Sequence, residues 1–176
     1  MTATDLEARI RRLEDLESIR QLKARYCRLC DDGYDADRLA DLFTEDAVWD
    51  GGMLGKAEGR EKIRKFFQRS PEVIPFSVHM VMNPLITVEG DAATGTWYLF
   101  QACSYAPENA ALWGSARYDE EYVRVGEEWK FRRLRLTSFF WTPFDQGWLR
   151  TLSVFDRDAG GGRVGGGERN AGGERR

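Results

Sequence analysis

Two side chains capable of proton transfer stand out in this sequence, the single histidine His79 and the aspartate Asp31. His79 lies between Val78 and Met80 in a segment whose apolar residues alternate as in a β-strand. Asp31 closes the apolar stripe of a long predicted helix, where the helix dipole makes a carboxylate unfavourable. If the two side chains meet, the carboxylate would fix the imidazole tautomer. The second ring nitrogen would then remove a proton from a carbon next to a carbonyl or a leaving group. A structural histidine and a solvated aspartate are the alternative interpretations.

The aromatic residues indicate that this chemistry has a cavity around it. The chain holds six Trp, six Tyr and ten Phe, and most of them fall between Phe76 and Phe155. That number exceeds what a thin core needs, so some of these rings are expected to line a cavity. Tyr26 would supply an O–H donor, Trp49 an indole donor, and Tyr118 a flat wall for a ring system.

Other catalytic and metal-binding patterns are missing from the sequence. It contains no G-x-S-x-G, no Walker loop and no paired histidines, and a single histidine argues against multi-histidine metal sites. Cys27 and Cys30 form a C-x-x-C, but inside a predicted helix with no strand before it. Buried helical thiols are favoured there over a redox or metal role. We therefore expect no metal and no cofactor.

The first 70 residues carry the periodicity of three helices. The first helix should end near Gly33, which permits a left-handed cap, and its first part could extend across a partner subunit. Asp35 caps a short second helix, residues 44–46 form a turn, and Ala47–Asp50 reads as a short strand. A third helix runs from about Arg60 to Gln68. The stripe of the first helix comprises Leu6, Ile10, Leu13, Leu16, Ile19, Leu22, Tyr26 and Leu29.

From Phe76 onward the period changes to two, which predicts a run of strands. Helices followed by an antiparallel meander indicate an α+β fold with the N-terminal helices packed on one face of a strongly curved antiparallel sheet. The predicted strands are Phe76–Val81, Leu85–Val88, Ala92–Tyr105, Leu112–Val125 and Glu128–Thr142.

Length and charge limit the remaining possibilities. A chain of 176 residues indicates one domain, residues 1–158. Residues 159–176 contain eight glycines and form a Gly/Arg-rich segment that we predict to be disordered. The net charge of −3, with no basic run before that segment, argues against nucleic-acid binding. No apolar run reaches the roughly 18 residues of a membrane span, so we expect a cytoplasmic protein that does not bind membranes.

The stretch LEDLESIRQLKARYCRLCDDGYDADRLADLFTEDAVWDGG, followed by GREKIRKFF, resembles the opening of SnoaL-like proteins of the nuclear-transport-factor-2-like superfamily. The segments SVHMVMNPLITVEGDAATGTWYLF and GEEWKFRRLRLTSFFWTPF also fit, so the resemblance runs from about Leu6 to Trp148. It implies a cone-shaped α+β barrel. The pattern is most similar to a group of cofactor-free, generally trimeric lyases that includes scytalone dehydratase, hexachlorocyclohexane dehydrochlorinase and bile-acid 7α-dehydratase.

The resemblance also implies a set of site residues. The Asp–His pair of these enzymes falls on Asp31 and His79, the helix tyrosine of the bile-acid enzyme on Tyr26, and the tryptophan of the dehydrochlorinase on Trp49. We therefore expect His79, Asp31 and Tyr26 to be catalytic. The residues expected to contact substrate are Trp49, Gln101, Cys103, Tyr118 and Phe139.

Three positions depart from the pattern of the group. The second acidic residue of the bile-acid enzyme falls on Gln101, which cannot take a proton, and the second histidine of scytalone dehydratase falls near Cys103. The late arginine of the bile-acid enzyme falls near Thr137 or Ser138. Only the core dyad is kept, so the resemblance implies a reaction class and does not carry over any one substrate.

Two functions follow as hypotheses. The first is a cofactor-independent lyase of the dehydratase type, or an isomerase or cyclase, acting on a hydrophobic polycyclic or aromatic small molecule by Asp–His general acid–base chemistry. The second is a non-catalytic protein that binds lipophilic ligands, or a partner protein similar to a dioxygenase β subunit. Under either hypothesis we expect a homo-oligomer, a trimer or a dimer, formed through Phe131–Leu136 with Phe139, Phe140 and Trp141.

Overall fold

The structure, a computed structural model, describes residues 3–155, which contain three α-helices, two short 3-10 helices and six strands. The predicted tail at residues 159–176 lies outside the described residues. The elements are α1 (Ala3–Asp31), α2 (Ala36–Asp41), β1 (Phe43–Asp50), β2 (Lys56–Glu58), α3 (Arg60–Val73), β3 (Phe76–Glu89), β4 (Ala92–Tyr105), β5 (Ala110–Val125) and β6 (Glu128–Pro143).

The six strands form one sheet in the order β2-β1-β6-β5-β4-β3, against which the helices pack. The predicted α+β class is therefore confirmed, and the long strands β3 to β6 form the predicted antiparallel meander. The sheet is mixed, however, because β1 pairs in parallel with β6. It is also open, since β2 and β3 lie at its two edges. The cone is thus formed by an open sheet together with the helices that pack against one of its faces.

Several element bounds differ from the prediction. Residues 44–46 are not a turn: β1 begins at Phe43, and a register shift between Phe43 and Val48 takes up these polar residues. The strands predicted on either side of residue 83 are one strand, β3, with an irregularity at Asn83, whose φ is 53°. Helix α3 continues through Pro71 to Val73, because a proline in the last turn removes only one backbone hydrogen bond.

The apolar stripe of α1 is buried only in its second half. Ile19, Leu22 and Tyr26 are at most 3% exposed and pack in the main core. Leu6 and Leu13, in contrast, are 46% and 65% exposed. The first turns of α1 therefore extend past the sheet. No helix within residues 3–155 is long and apolar enough to cross a membrane.

Candidate active site

The end of α1 places Asp31 against the sheet. Gly33, at φ 95°, and Tyr34, at φ 60°, both adopt left-handed conformations, so the chain reverses directly after the helix. The Tyr34 N–H donates to the Leu29 carbonyl at 2.9 Å. This hydrogen bond completes the C-terminal cap of α1 that was predicted at Gly33. Asp31 is the last residue of α1 and its side chain reaches β3.

The Asp31 carboxylate holds the His79 imidazole. Nδ1 of His79 lies 2.6 Å from Asp31 Oδ1, and the backbone N–H of His79 donates to both carboxylate oxygens at 3.1 and 3.0 Å. The Ser77 hydroxyl donates to Oδ1 at 3.2 Å, and the Tyr34 hydroxyl lies 3.4 Å from the Ser77 oxygen. An acceptor so close to Nδ1 favours a proton on that nitrogen, which leaves Nε2 as the base.

A cavity of about 410 Å³ opens beside this pair, in the size range of small-molecule sites. His79 lines the cavity with a side chain only 8% exposed, while Asp31 lies behind it, outside the lining. Of the predicted site residues, the structure brings His79, Tyr26, Trp49, Gln101 and Tyr118 together in the cavity wall.

Tyr26 and Trp49 form a hydrogen-bonded pair in the wall. The indole N–H of Trp49 donates to the Tyr26 hydroxyl oxygen at 3.0 Å, so the hydroxyl keeps its own proton for another acceptor. Burial raises the pKa of Tyr26 well above its usual value, which keeps that proton in place. Gly51 gives the indole its space, because a Cβ at that position would lie 2.4 Å from the Trp49 ring.

Tyr118 packs on a buried charge. The Lys23 ammonium lies 3.2 Å from the centre of the Tyr118 ring and 2.6 Å from Glu120 Oε1. Both side chains of this ion pair are fully buried. The other carboxylate oxygen of Glu120 accepts from the Tyr122 hydroxyl. Tyr118 is thus fixed between the cavity and a cation, a contact that sequence reasoning did not find.

Gln101 faces His79 across neighbouring strands. The two residues are paired in the register of β3 and β4, so their side chains share one face of the sheet. Gln101 is 2% exposed, and its amide makes no hydrogen bond to another residue of the 3–155 segment. This amide is therefore available to a ligand, as a donor or an acceptor.

Two predicted substrate contacts lie outside the cavity. Cys103 is buried in a second small core with Leu112, Trp141 and Val154. Phe139 is 45% exposed and contacts Tyr98 on the outer face, at a register shift in β6 where it lies between the residues paired with Ala116 and Ser115. The same shift turns Trp141, predicted at an oligomer interface, inward to line the cavity.

The three cysteines are free thiols. Cys27 and Cys30 are buried in α1, as expected for a C-x-x-C within a helix, and no disulfide joins them. Burial raises the pKa of Cys27 to about 11 and that of Cys103 to about 12. The described residues contain no cluster of three or more side chains that could hold a metal ion.

Sequence reasoning missed much of the cavity wall. Phe66 and Phe67 of α3 lie 4.2 and 5.7 Å from the Trp49 ring, measured between centroids, and both line the cavity. Their position on the apolar face of the predicted third helix could have indicated that they face the cavity. The polar residues missed are Tyr34, Ser70, Lys56, Lys62, Lys65 and Arg69.

Solved structures resemble this fold closely. A predicted scytalone dehydratase from Novosphingobium aromaticivorans superposes with a TM-score of 0.69 at 22% identity, covering 76% of this chain and 89% of that chain. A type 2 hexachlorocyclohexane dehydrochlorinase superposes with a TM-score of 0.71 at 23% identity, covering 76% and 90%. At these identities the similarity shows the shared cone fold.

Sequence comparison gives the family. The protein Rv2910c of Mycobacterium tuberculosis is 30% identical over 106 residues, which cover 59% of this chain and 72% of that protein. Residues 11–135 match the family model of the SnoaL-like domain. The match covers most of the chain and includes Asp31 and His79, so the chain belongs to the SnoaL-like domain family, as its sequence predicted.

Proposed function

We propose that this protein is a cofactor-independent lyase of the dehydratase type, or an isomerase or cyclase, in which His79 is the general base. The observation that carries the proposal is the 2.6 Å contact between His79 Nδ1 and Asp31 Oδ1, with the ring lining a cavity. A histidine held in this way, with its ring lining a small-molecule cavity, is suited to remove a proton from a substrate.

The proposed elimination begins at Nε2 of His79. This nitrogen takes a proton from a substrate carbon, and the electron pair of the broken C–H bond forms the C=C bond as the neighbouring leaving group departs with the electrons of its own bond. A hydroxyl takes the proton back from the imidazolium and leaves as water, whereas chloride leaves as the anion and the imidazolium then gives its proton to solvent. Asp31 stabilises the imidazolium that forms. In an isomerisation the imidazolium returns the proton to another carbon of the same molecule.

Tyr26 is proposed to bind the substrate oxygen that gains charge. Its hydroxyl accepts from Trp49 and can donate its own proton to a further acceptor, and its raised pKa favours hydrogen bonding over proton release. Gln101, next to His79 across the sheet, offers a second donor. These two groups would orient the reacting bond toward Nε2.

The aromatic lining supports a hydrophobic cyclic substrate. Tyr26, Tyr34, Trp49, Phe66 and Tyr118 all line the cavity, and flat rings pack well on such walls. The similar structures include a predicted dehydratase and a dehydrochlorinase, names that describe eliminations of water and of hydrogen chloride. Their fold supports this reaction class without naming a substrate.

The test is to measure turnover of a panel of polycyclic alcohols and ketones through the absorbance of the C=C bond that forms. Asp31→Asn and His79→Ala should each lower the rate by about a hundredfold or more, the usual size of general-base catalysis. Asp32→Asn is the matched control, because Asp32 is 67% exposed and pairs with Arg28 on the surface. Full activity of either dyad variant on a confirmed substrate would overturn the proposal.

A non-catalytic ligand-binding protein, or a partner protein similar to a dioxygenase β subunit, is the second candidate. The observation that favours it is the cavity lining, which among the described residues holds no carboxylate and no second histidine. Binding of many unrelated lipophiles without conversion would support ligand carriage. A stable complex with an iron–sulfur oxygenase subunit would support the partner function.

We also propose that the protein assembles into a homo-oligomer, a trimer or a dimer, through the outer face of the sheet. Val78, Met80 and Met82 are 40–41% exposed and alternate with the inward residues of β3. Tyr98 pairs with Met82 across the strands and contacts Phe139, so the apolar surface is continuous. Phe131, Leu134 and Leu136, expected at the interface, are buried in the core. Light scattering that shows a monomer would contradict the assembly.

A further inference from the structure

The rim of the cavity is positively charged, although the whole chain carries a net charge of −3. Four basic residues contribute to the lining, and no aspartate or glutamate among the described residues does. A basic rim would stabilise a bound anion, whereas it would not stabilise an uncharged lipophile. The four residues are Lys56, Lys62, Lys65 and Arg69.

Helix α3 separates its cations by face. Arg64 lies outside the cavity lining and is neutralised by Asp37 at 2.9 Å and by Glu61. Lys65 and Arg69 line the cavity and form no ion pair with any residue of the described segment. Glu72, three residues after Arg69, also makes no such pair. Asp37 and Glu61 therefore neutralise Arg64, which lies away from the cavity, whereas Lys65 and Arg69 beside the cavity have no acidic partner among the described residues.

The remaining two cations are partly neutralised. Lys56 contacts Glu58 at 2.6 Å, and Lys62 lies close enough to the same carboxylate to act on it. The uncompensated charge of the rim thus comes from Lys65 and Arg69. Both side chains are exposed, whereas His79 is nearly buried, so the cations lie at the solvent end of the cavity and the dyad at its inner end.

We propose that the ligand of this cavity is an amphipathic anion: a ring system within the aromatic wall, with a carboxylate or phosphate group at Lys65 and Arg69. The proposal rests on the proposed function, since the ring system is the part that His79 would attack. Arginine and lysine both bind such oxyanions through charge-assisted hydrogen bonds. The anionic group would also fix which ring carbon lies at Nε2.

Matched naphthalenes test this inference without knowledge of the substrate. The probes are 2-naphthoate, 2-naphthyl phosphate and uncharged 2-acetylnaphthalene, titrated by quenching of tryptophan fluorescence, to which Trp49 in the cavity wall contributes. We expect at least one anion to bind about tenfold more tightly than the uncharged ketone, the effect of two partly solvated charge contacts. The tighter of the two anions identifies the group, and equal affinities support the shared oxyanion chemistry.

The double variant Lys65→Gln/Arg69→Gln should reduce this preference to within about twofold while the ketone binds as before. The control, Arg25→Gln/Arg132→Gln, removes two exposed cations outside the cavity and should keep the preference. Equal binding of all three probes to the native protein would overturn the anion inference and leave the proposed function intact. Failure of the uncharged ketone alone to bind, with the anions binding, would support the rim as the main anchor. Loss of turnover in the dyad variants is measured separately.

Discussion

Asp31 contacts His79 twice, through the ring and through the backbone, although the two residues are 48 positions apart. Its carboxylate lies 2.6 Å from Nδ1 and within 3.1 Å of the His79 backbone nitrogen. The backbone contact fixes the carboxylate relative to β3, so the ring contact does not depend on side-chain packing alone. The helix end and the strand are thus joined at the residue proposed to act as the base.

Ser77 should act as a positioning residue for this pair. Its hydroxyl donates to Asp31 at 3.2 Å and is itself 3% exposed. Ser77→Ala should lower kcat by about fivefold with little change in KM, the effect of one lost hydrogen bond on the transition state. Tyr34→Phe, which removes a hydroxyl one step further out, should have a smaller effect on kcat. If Tyr34→Phe lowered kcat as much as Ser77→Ala or more, Ser77 would not be the residue that positions the pair.

Removing one partner of the buried ion pair between Lys23 and Glu120 should destabilise the protein strongly, whereas replacing both partners by uncharged residues should destabilise it much less. Lys23→Met leaves the Glu120 carboxylate buried without its cation, so the free energy of unfolding should fall by about 3–5 kcal/mol. Adding Glu120→Gln should restore much of that loss. Urea denaturation of the three proteins measures the effect. A double variant less stable than Lys23→Met would contradict the assignment of Lys23 as the partner of Glu120.

Gly114 should be required because Trp141 lies over it. A Cβ at this position would be 2.5 Å from the indole, and the glycine does not adopt a left-handed conformation, so the penalty is steric. Gly114→Ala should lower the free energy of unfolding by about 1–3 kcal/mol. In the background of Trp141→Leu the same substitution should cost less. An unchanged cost in that background would show that the indole is not the obstacle.

The thiols should make the folded state sensitive to alkaline pH. Burial raises the pKa of Cys27 from 9.0 to about 11, and that of Cys103 to about 12. Below pH 9 these thiols are protonated in both the folded and the unfolded state. Above it the unfolded chain releases the thiol protons first, so the free energy of unfolding should fall as pH rises toward about 11. Each thiol contributes up to about 1.4 kcal/mol per pH unit. Cys103→Ala should lessen the slope in denaturation curves, and a slope unaffected by the substitution would contradict the prediction.

The sequence predicted the dyad because both of its members lie in strongly patterned elements. The stripe of α1 and Gly33 located Asp31 at a helix end, and the alternation around His79 assigned that residue to a strand. The family resemblance then placed the two together. Tyr26 and Trp49 followed in the same way, since each lies on the inward face of a regular element.

Features that depend on distant partners could not be predicted. Lys23 follows Leu22 in a helix and looks like a solvated charge, and only the position of Glu120, 97 residues away, makes it a buried one. The parallel pairing of β1 with β6 leaves no local pattern in either strand. The register shift at Phe139 turned Trp141 inward, because one additional residue exchanges the two faces of a strand for the residues that follow it.

The most direct test of the central claim is the protonation state of the His79 ring nitrogens, read by long-range ¹H–¹⁵N NMR. His79 is the only histidine of the chain, so its signals need no assignment. In the neutral ring we predict a proton on Nδ1 and none on Nε2, because the Asp31 carboxylate accepts from Nδ1. Asp31→Asn should shift the population toward the other tautomer, since an amide can donate to Nδ1, while Asp32→Asn should change nothing. A ring protonated on Nε2 in the native protein, or a tautomer that ignores Asp31→Asn, would contradict the dyad and with it the proposed general base.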